Sequence, residues 1–190
     1  MITRVERDIF FVAGVHFDDA YHINSYDMTL SMLIETEIPQ EHGIAMERLE
    51  FFIKNIVNNS VFVHEDEAEI IERYLEAGIE VITLPEQPFD QVVALALLLK
   101  INAIMENRIK VTDLTISSML GEGVRYPIVA EMAENADIMM GDNWWHCPDT
   151  EIRNQIVFTL DTDNVIKLFD DSAWAQLDLS WKDKPKSLLT

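Results

Sequence analysis

Residues Ser60–Ile116 read SVFVHEDEAEIIERYLEAGIEVITLPEQPFDQVVALALLLKINAIMENRIKVTDLTI, and this stretch decides the fold class. Three short β-type runs, near 60–63, 79–84 and 109–116, alternate with two helical ones, near 65–77 and 89–107. A βαβαβ order favours at least one parallel strand pair, because a helix long enough to span the sheet carries the chain back to its starting edge. In the first helix Ala68, Ile71, Tyr74 and Leu75 share a face, Glu65, Asp66 and Glu67 complement the positive end of the helix dipole, and Gly78 stands where a left-handed residue closes a helix. In the second, Val92, Val93, Leu95, Leu97, Leu98, Leu99, Ile101 and Ile104 cover nearly the whole circumference. A helix apolar all round belongs inside the domain. The phase of 109–116 slips between Val111 and Leu114, which a bulge at Thr112 and Asp113 explains.

Upstream, Asp8–Val15 is a β-type run, and Met28, Leu30, Met32 and Ile34 alternate with polar residues as in a strand with one buried face. The polar residues from His16 to Asp27 read as a 12-residue connection, so these strands, 8–15 and 28–36, pair as a long-looped hairpin. Ala45, Leu49, Phe52, Ile53 and Ile56 then fall at helical spacing, ended by Asn58 and Asn59. Downstream, Gly121 and Gly123 mark a turn and Pro127–Asn135 a short helix. Runs at 155–160 and 165–169 flank Asp161-Thr162-Asp163-Asn164, a hairpin signal. The expected fold is therefore α/β or mixed α+β. It is a single domain over 1–181 with an N-terminal strand pair, a central βαβαβ unit around helix 89–107 and a C-terminal β-hairpin. A basic, flexible tail follows at 182–190.

Composition narrows the function. The chain has 190 residues, 48% hydrophobic, with 34 Asp and Glu against 14 Lys and Arg, a net charge of −20. Direct binding of nucleic acid or anionic lipid needs clustered cations and is excluded on that balance. The longest apolar run, Phe89–Met105, is broken by Asp90, Gln91, Lys100 and Asn102, short of a membrane span. One cysteine, Cys147, points to a reducing, cytoplasmic setting. The sequences GxxxxGK[ST], GxGxxG after a strand, GxSxG, HExxH and paired CxxC do not occur, so the common nucleotide, hydrolase and zinc signatures fail.

Two constellations remain. The acids Glu65, Asp66, Glu69, Glu72 and Glu76 give helix 65–76 a strongly negative face. Trp144 and Trp145 are adjacent, and an extended chain cannot turn both toward one core, so the pair either leaves at least one partly exposed as an interface anchor or covers a sheet edge or the end of the core. Together they predict a non-enzymatic acidic protein that binds a basic macromolecular partner, as an inhibitor, mimic or immunity-like protein, because complementary charge speeds encounter and selects partners. No cofactor is needed for this reading, and self-association is left open. The alternative is a metal-dependent hydrolase whose divalent ion is held by His16, Asp18, Asp19 and His22, imidazole and carboxylate being suitable ligands for Zn, Mn or Fe. A Cys147–His146 pair is disfavoured as a nucleophile because adjacent residues seldom aim at one atom. The turn Pro85–Asp90 lies where α/β folds gather ligands, beyond the carboxyl ends of parallel strands, and Glu86 is expected to line any pocket there.

Overall fold

The computed structural model describes residues 2–35, 39–140 and 143–152. In chain order the elements are β1 (Ile2–Phe17), β2 (Ala20–Glu35), α1 (Pro39–Phe51), β3 (Val61–His64), α2 (Ala68–Glu76), β4 (Val81–Leu84), α3 (Asp90–Met105), β5 (Lys110–Ser118), β6 (Tyr126–Val129) and α4 (Ala130–Glu134). The six strands form one mixed sheet in the order β4-β3-β1-β2-β5-β6. β1 pairs parallel with β3, and β3 with β4, while the other three pairings are antiparallel. Among the described residues the result is a mixed α+β fold of six strands and four helices, with the parallel pairing that the 60–116 stretch implied. The hairpin expected at 155–160 and 165–169, the domain limit at 181 and the tail from 182 lie outside the described residues.

The N-terminal pair differs from the expectation. β1 and β2 zip through sixteen cross-strand pairs, from Phe17↔Ala20 to Ile2↔Glu35. The connection is not twelve residues but two, Asp18 and Asp19, with φ of 53° and 57°. A two-residue turn with both φ positive has the twist that matches a hairpin, and Asp tolerates that backbone better than most residues. The strand over 20–27 was hidden because its inward positions include His22 and Asn24, which break the apolar alternation. Further on the alternation holds: Tyr26, Met28, Leu30 and Met32 are all buried.

Helix α1 passes into a π-helical segment, Phe52–Val57, that ends at Asn58. The Asn58 side-chain oxygen then accepts from the Val12 N–H at 3.0 Å. Helix α2 starts at Ala68, so Glu65 and Asp66 precede it and Glu67 is its cap. Gly78 closes it at φ +74°, as the sequence implied. The bulge is present: Ser31 pairs Asp113 while Met32 pairs Val111, leaving Thr112 as the extra residue. The helix expected over 127–135 divides into β6 and α4. Pro127 is accommodated because β6 is an edge strand, where a missing N–H need cost no ladder bond.

α3 is the centre of the core. It packs on β4, β5, β6, α1, α4 and the turn Trp144–His146. Lys100, in the middle of this helix, is fully buried, and its ammonium donates to the carbonyls of Trp144 and Cys147, each at 3.0 Å. Burial lowers its pKa from the ordinary lysine value, and the two carbonyls give a buried donor the partners it requires. α2 lies across the sheet: Val61, Val63 and Ile71 are fully buried yet stand apart from the main core. Leu97, with no exposed surface, should cost ~2–5 kcal/mol when cut to Ala. A denaturant melt that changed by less than ~1 kcal/mol would place it outside the core.

Candidate functional site

The carboxyl ends of β1, β4 and β5 meet the amino ends of β2, β6 and α3 at one edge of the sheet. A cleft of about 320 Å³ opens there, within the size range of small-ligand sites. Val15, Phe17, Pro88, Phe89, Leu120 and Tyr126 give it apolar walls. His22, Asn24, Asp90 and Gln91 supply its polar groups. The rings of Phe17 and Phe89 lie 5.3 Å apart, centroid to centroid, and both residues are exposed.

Asp90 is the group with chemistry. It begins α3 and is only 9% exposed. Ser118 Oγ donates to its Oδ2 at 2.8 Å and accepts from the Gly121 N–H at 2.9 Å. Ser118 thus locks the carboxylate to the loop that follows β5. Gly121 is required for the approach, since a Cβ there would fall well inside contact distance of Asp90 Oδ2. Burial raises the Asp90 carboxyl above its ordinary range, and the Ser118 hydrogen bond opposes that shift only in part. A carboxyl raised in this way sits nearer the pH at which it can both give and take a proton. Asn24, 1% exposed, accepts from the Leu120 N–H at 3.0 Å, so the same loop is pinned at two points. Beneath them Tyr26 is fully buried, stacked on Phe11 at 4.8 Å. Burial first, and then the Asp90 charge, push its phenol upward against the influence of Asn24.

The residues singled out from sequence are distributed differently from the expectation. His16 and His22 do not share a site. Adjacent strand positions face opposite ways, and His22 pairs with Val15, the neighbour of His16. His22 therefore faces the cleft, and His16 the side of α2. Asp18 and Asp19 form the exposed hairpin turn. The four do not converge, and among the described residues no group of three or more His, Cys, Asp or Glu side chains could hold a metal ion. Trp144 and Trp145 are both buried, at 4% and 2%. Their indole N–H groups donate to the carbonyls of Thr83 and Met139 at 2.8 and 3.0 Å. The helical turn of 144–146 is what lets both face inward, so neither is a surface anchor. Glu65, Asp66, Glu69, Glu72 and Glu76 are exposed. Glu86 is exposed too; it is Pro88, Phe89 and Asp90 of its turn that line the cleft. Asn24, Ser118 and Gly121 were not picked out from sequence. Only the placement of the 85–90 turn beyond strand ends pointed toward them.

Sequence comparison finds no matching protein family and no matching curated relative. Solved structures with similar backbones include an uncharacterised protein from Wolinella succinogenes, at 10% identity and TM-score 0.46, over 68% of this chain and 98% of that one. The 6-pyruvoyl tetrahydropterin synthase of Plasmodium vivax aligns at 9% identity and TM-score 0.43, over 67% and 97%. That of Plasmodium falciparum aligns at 12% and 0.40, over 67% and 96%. At this level of overlap the likenesses assign neither an activity nor a residue role to this chain.

Asp90→Asn tests the carboxyl. A raised carboxyl pKa means that the folded state favours the neutral form, so this group's contribution to stability is fully present below the unfolded pKa and is lost as pH rises through the folded one. The amide should therefore raise the melting temperature at pH 7, and the gain should shrink as pH falls into the ordinary carboxylate range. Paired thermal melts across pH measure this; an equal gain at every pH would show that the Asp90 charge is not the cause.

Proposed function

We propose that this protein binds a small molecule in the cleft headed by Asp90. The ligand has an apolar or aromatic body, held among Phe17, Phe89, Leu120 and Tyr126, and a hydrogen-bond donor that meets the carboxylate. The observation that carries this reading is Asp90 itself: a carboxyl kept out of water, locked by Ser118, at the edge of a pre-formed apolar cleft. Leaving a charge so placed lowers stability, and such groups concentrate where function requires them. Because its pKa is raised, Asp90 is also suited to exchange a proton with the bound group. That makes acid–base chemistry the reaction class this cleft is fitted for.

Three probes of one shape test it: benzylamine, benzyl alcohol and benzoate. The two donors should perturb the NMR signals of cleft residues saturably and benzoate should not, since its charge would face Asp90. Asp90→Asn should weaken benzylamine at least ~10-fold, an ionic hydrogen bond contributing about 1.5–3 kcal/mol. Indifference to that change, or preference for benzoate, would refute the reading.

A second reading is favoured by the acidic helix. Glu65, Asp66, Glu69, Glu72 and Glu76 all lie exposed on or just before α2, where Arg73, 3.8 Å from Glu69, is the one cation of the helix. Under this reading they dock a basic macromolecular partner, with no contribution from the two tryptophans. Reversing Glu69, Glu72 and Glu76 to Lys should abolish capture of polylysine at low salt while leaving the melting temperature nearly unchanged. Capture that survives the reversal would assign it to the overall charge of −20 rather than to this face.

A further inference from the structure

At the opposite side of β1 from the cleft, three polar side chains from three different elements meet and each leaves one buried polar atom without a hydrogen-bond partner. His16, the penultimate residue of β1, is 5% exposed. Its Nδ1 lies 3.0 Å from the Tyr74 hydroxyl of α2, and its Nε2 lies 3.4 Å from Oε2 of Glu67, the cap of the same helix. Glu67 Oε1 accepts from Gln87 Nε2, in the turn after β4, over a long 3.4 Å. His16 Nε2, Glu67 Oε2 and Gln87 Oε1 are all buried and all without a hydrogen-bond partner. Such atoms are rare among the described residues, and three of the five occur here. A buried polar atom left unpaired lowers stability, so three at one place call for a common partner.

The chemistry of the three atoms names its sign. Carboxylate and amide oxygens are acceptors only. If the Nδ1–H of His16 donates to the Tyr74 oxygen, Nε2 presents a lone pair as well. A ring nitrogen fixed by a hydrogen bond at the other nitrogen is the usual arrangement of a metal-binding histidine. Two acceptors, His16 Nε2 and Glu67 Oε2, facing each other at 3.4 Å repel unless a cation lies between them, and Gln87 Oε1 belongs to the amide that meets the same carboxylate. The spacing also fits: two ligands each about 2.0–2.1 Å from a tetrahedral ion stand about 3.3 Å apart, against the 3.4 Å between His16 Nε2 and Glu67 Oε2. A direct N–H···O bond over that distance would be long, and it would leave Gln87 Oε1 unexplained.

We propose that His16 Nε2, the Glu67 carboxylate and Gln87 Oε1 bind one Zn²⁺ ion, with water completing its coordination and Tyr74 orienting the imidazole. One imidazole with two oxygen ligands at tetrahedral spacing suits Zn²⁺ better than Mg²⁺ or Ca²⁺, which take six or more oxygen ligands. Glu67, whose side chain is 26% exposed, leaves the ion a path from solvent. The ion joins the end of β1, the start of α2 and the turn that leads into Asp90. Of the four residues named from sequence as metal ligands only His16 takes part. Its companions come from far along the chain, and one is an amide that a search for acids and histidines passes over.

The test uses the full chain stripped with EDTA and then titrated with Zn²⁺ alone by calorimetry and thermal melting. One equivalent should bind and raise the melting temperature. His16→Gln should abolish that binding, Glu67→Gln and Gln87→Leu should each weaken it at least ~10-fold, and Tyr74→Phe should weaken it ~10–100-fold, the range for groups that orient a ligand. His22→Gln and Cys147→Ser should leave it intact. Should His16→Gln fail to fold, Glu67→Gln at the partly exposed cap carries the comparison. Absence of saturable binding by 100 µM Zn²⁺, or an affinity unmoved by the Glu67 and Gln87 changes, would overturn the site.

Discussion

Burial of α3 over most of its circumference is the constraint from which the rest of the architecture follows. A sixteen-residue helix with no polar face must be enclosed, and here the enclosure is made by the sheet, α1, α4 and the turn at 144–146. Two charged residues ride on it, and each is accommodated by the surrounding chain. Lys100 sits mid-helix, and its ammonium closes the turn over it through the carbonyls of Trp144 and Cys147. Without that turn the charge would be buried and unpaired, which is among the more costly arrangements a core can contain. Asp90 sits at the helix start, tied to Ser118 but left at the edge of a cleft. The first charge closes the structure; the second stands open to a ligand.

The β1–β2 hairpin turns that enclosure into something with two separate chemistries. Because successive side chains of a strand face opposite ways, Val15 joins the cleft and the core while His16 meets α2. The same strand end therefore borders the cleft on one face of the sheet and the His16–Glu67 cluster on the other, and the turn 85–90 connects them, Gln87 reaching Glu67 on one side and Asp90 lining the cleft on the other. Gly14 belongs to this economy of space: a Cβ at that position would collide with the Tyr21 ring and with Val61. The close approach of β1 to β3, where Gly14 pairs with Val61, depends on its absence.

Legibility from the sequence followed how strongly each segment is apolar. α3, the β3–α2–β4 unit, the bulge at Thr112 and the glycine closing α2 each rest on a local signal that packing reinforces, and all four are present. The hairpin was legible only where its inward residues are hydrophobic. From Met28 to Met32 the period of two is clean; from Ala20 to Asn24 it vanishes, because His22 and Asn24 occupy inward positions that line a cleft rather than a core. The tryptophan pair misled for a different reason. Adjacent indoles cannot share a core in an extended chain, but one turn of 3₁₀ helix swings both inward, and residue identity alone does not announce such a turn. Ser118 and Gly121 gave no signal, since a serine and a glycine after a strand are ordinary turn chemistry.

The failure of the alternation and the position of the cleft are the same fact. A strand selected only for stability would carry apolar residues at 22 and 24, extend the core to its tip and need no loop hydrogen bond from Leu120. A helix selected only for stability would not begin with an acid held out of water. His22, Asn24 and Asp90 each depart from what local stability favours, and all three line one cleft. Departures that converge on one cleft are expected when the position, rather than the fold, sets the residue, and that convergence is what supports the proposal that this cleft binds a ligand.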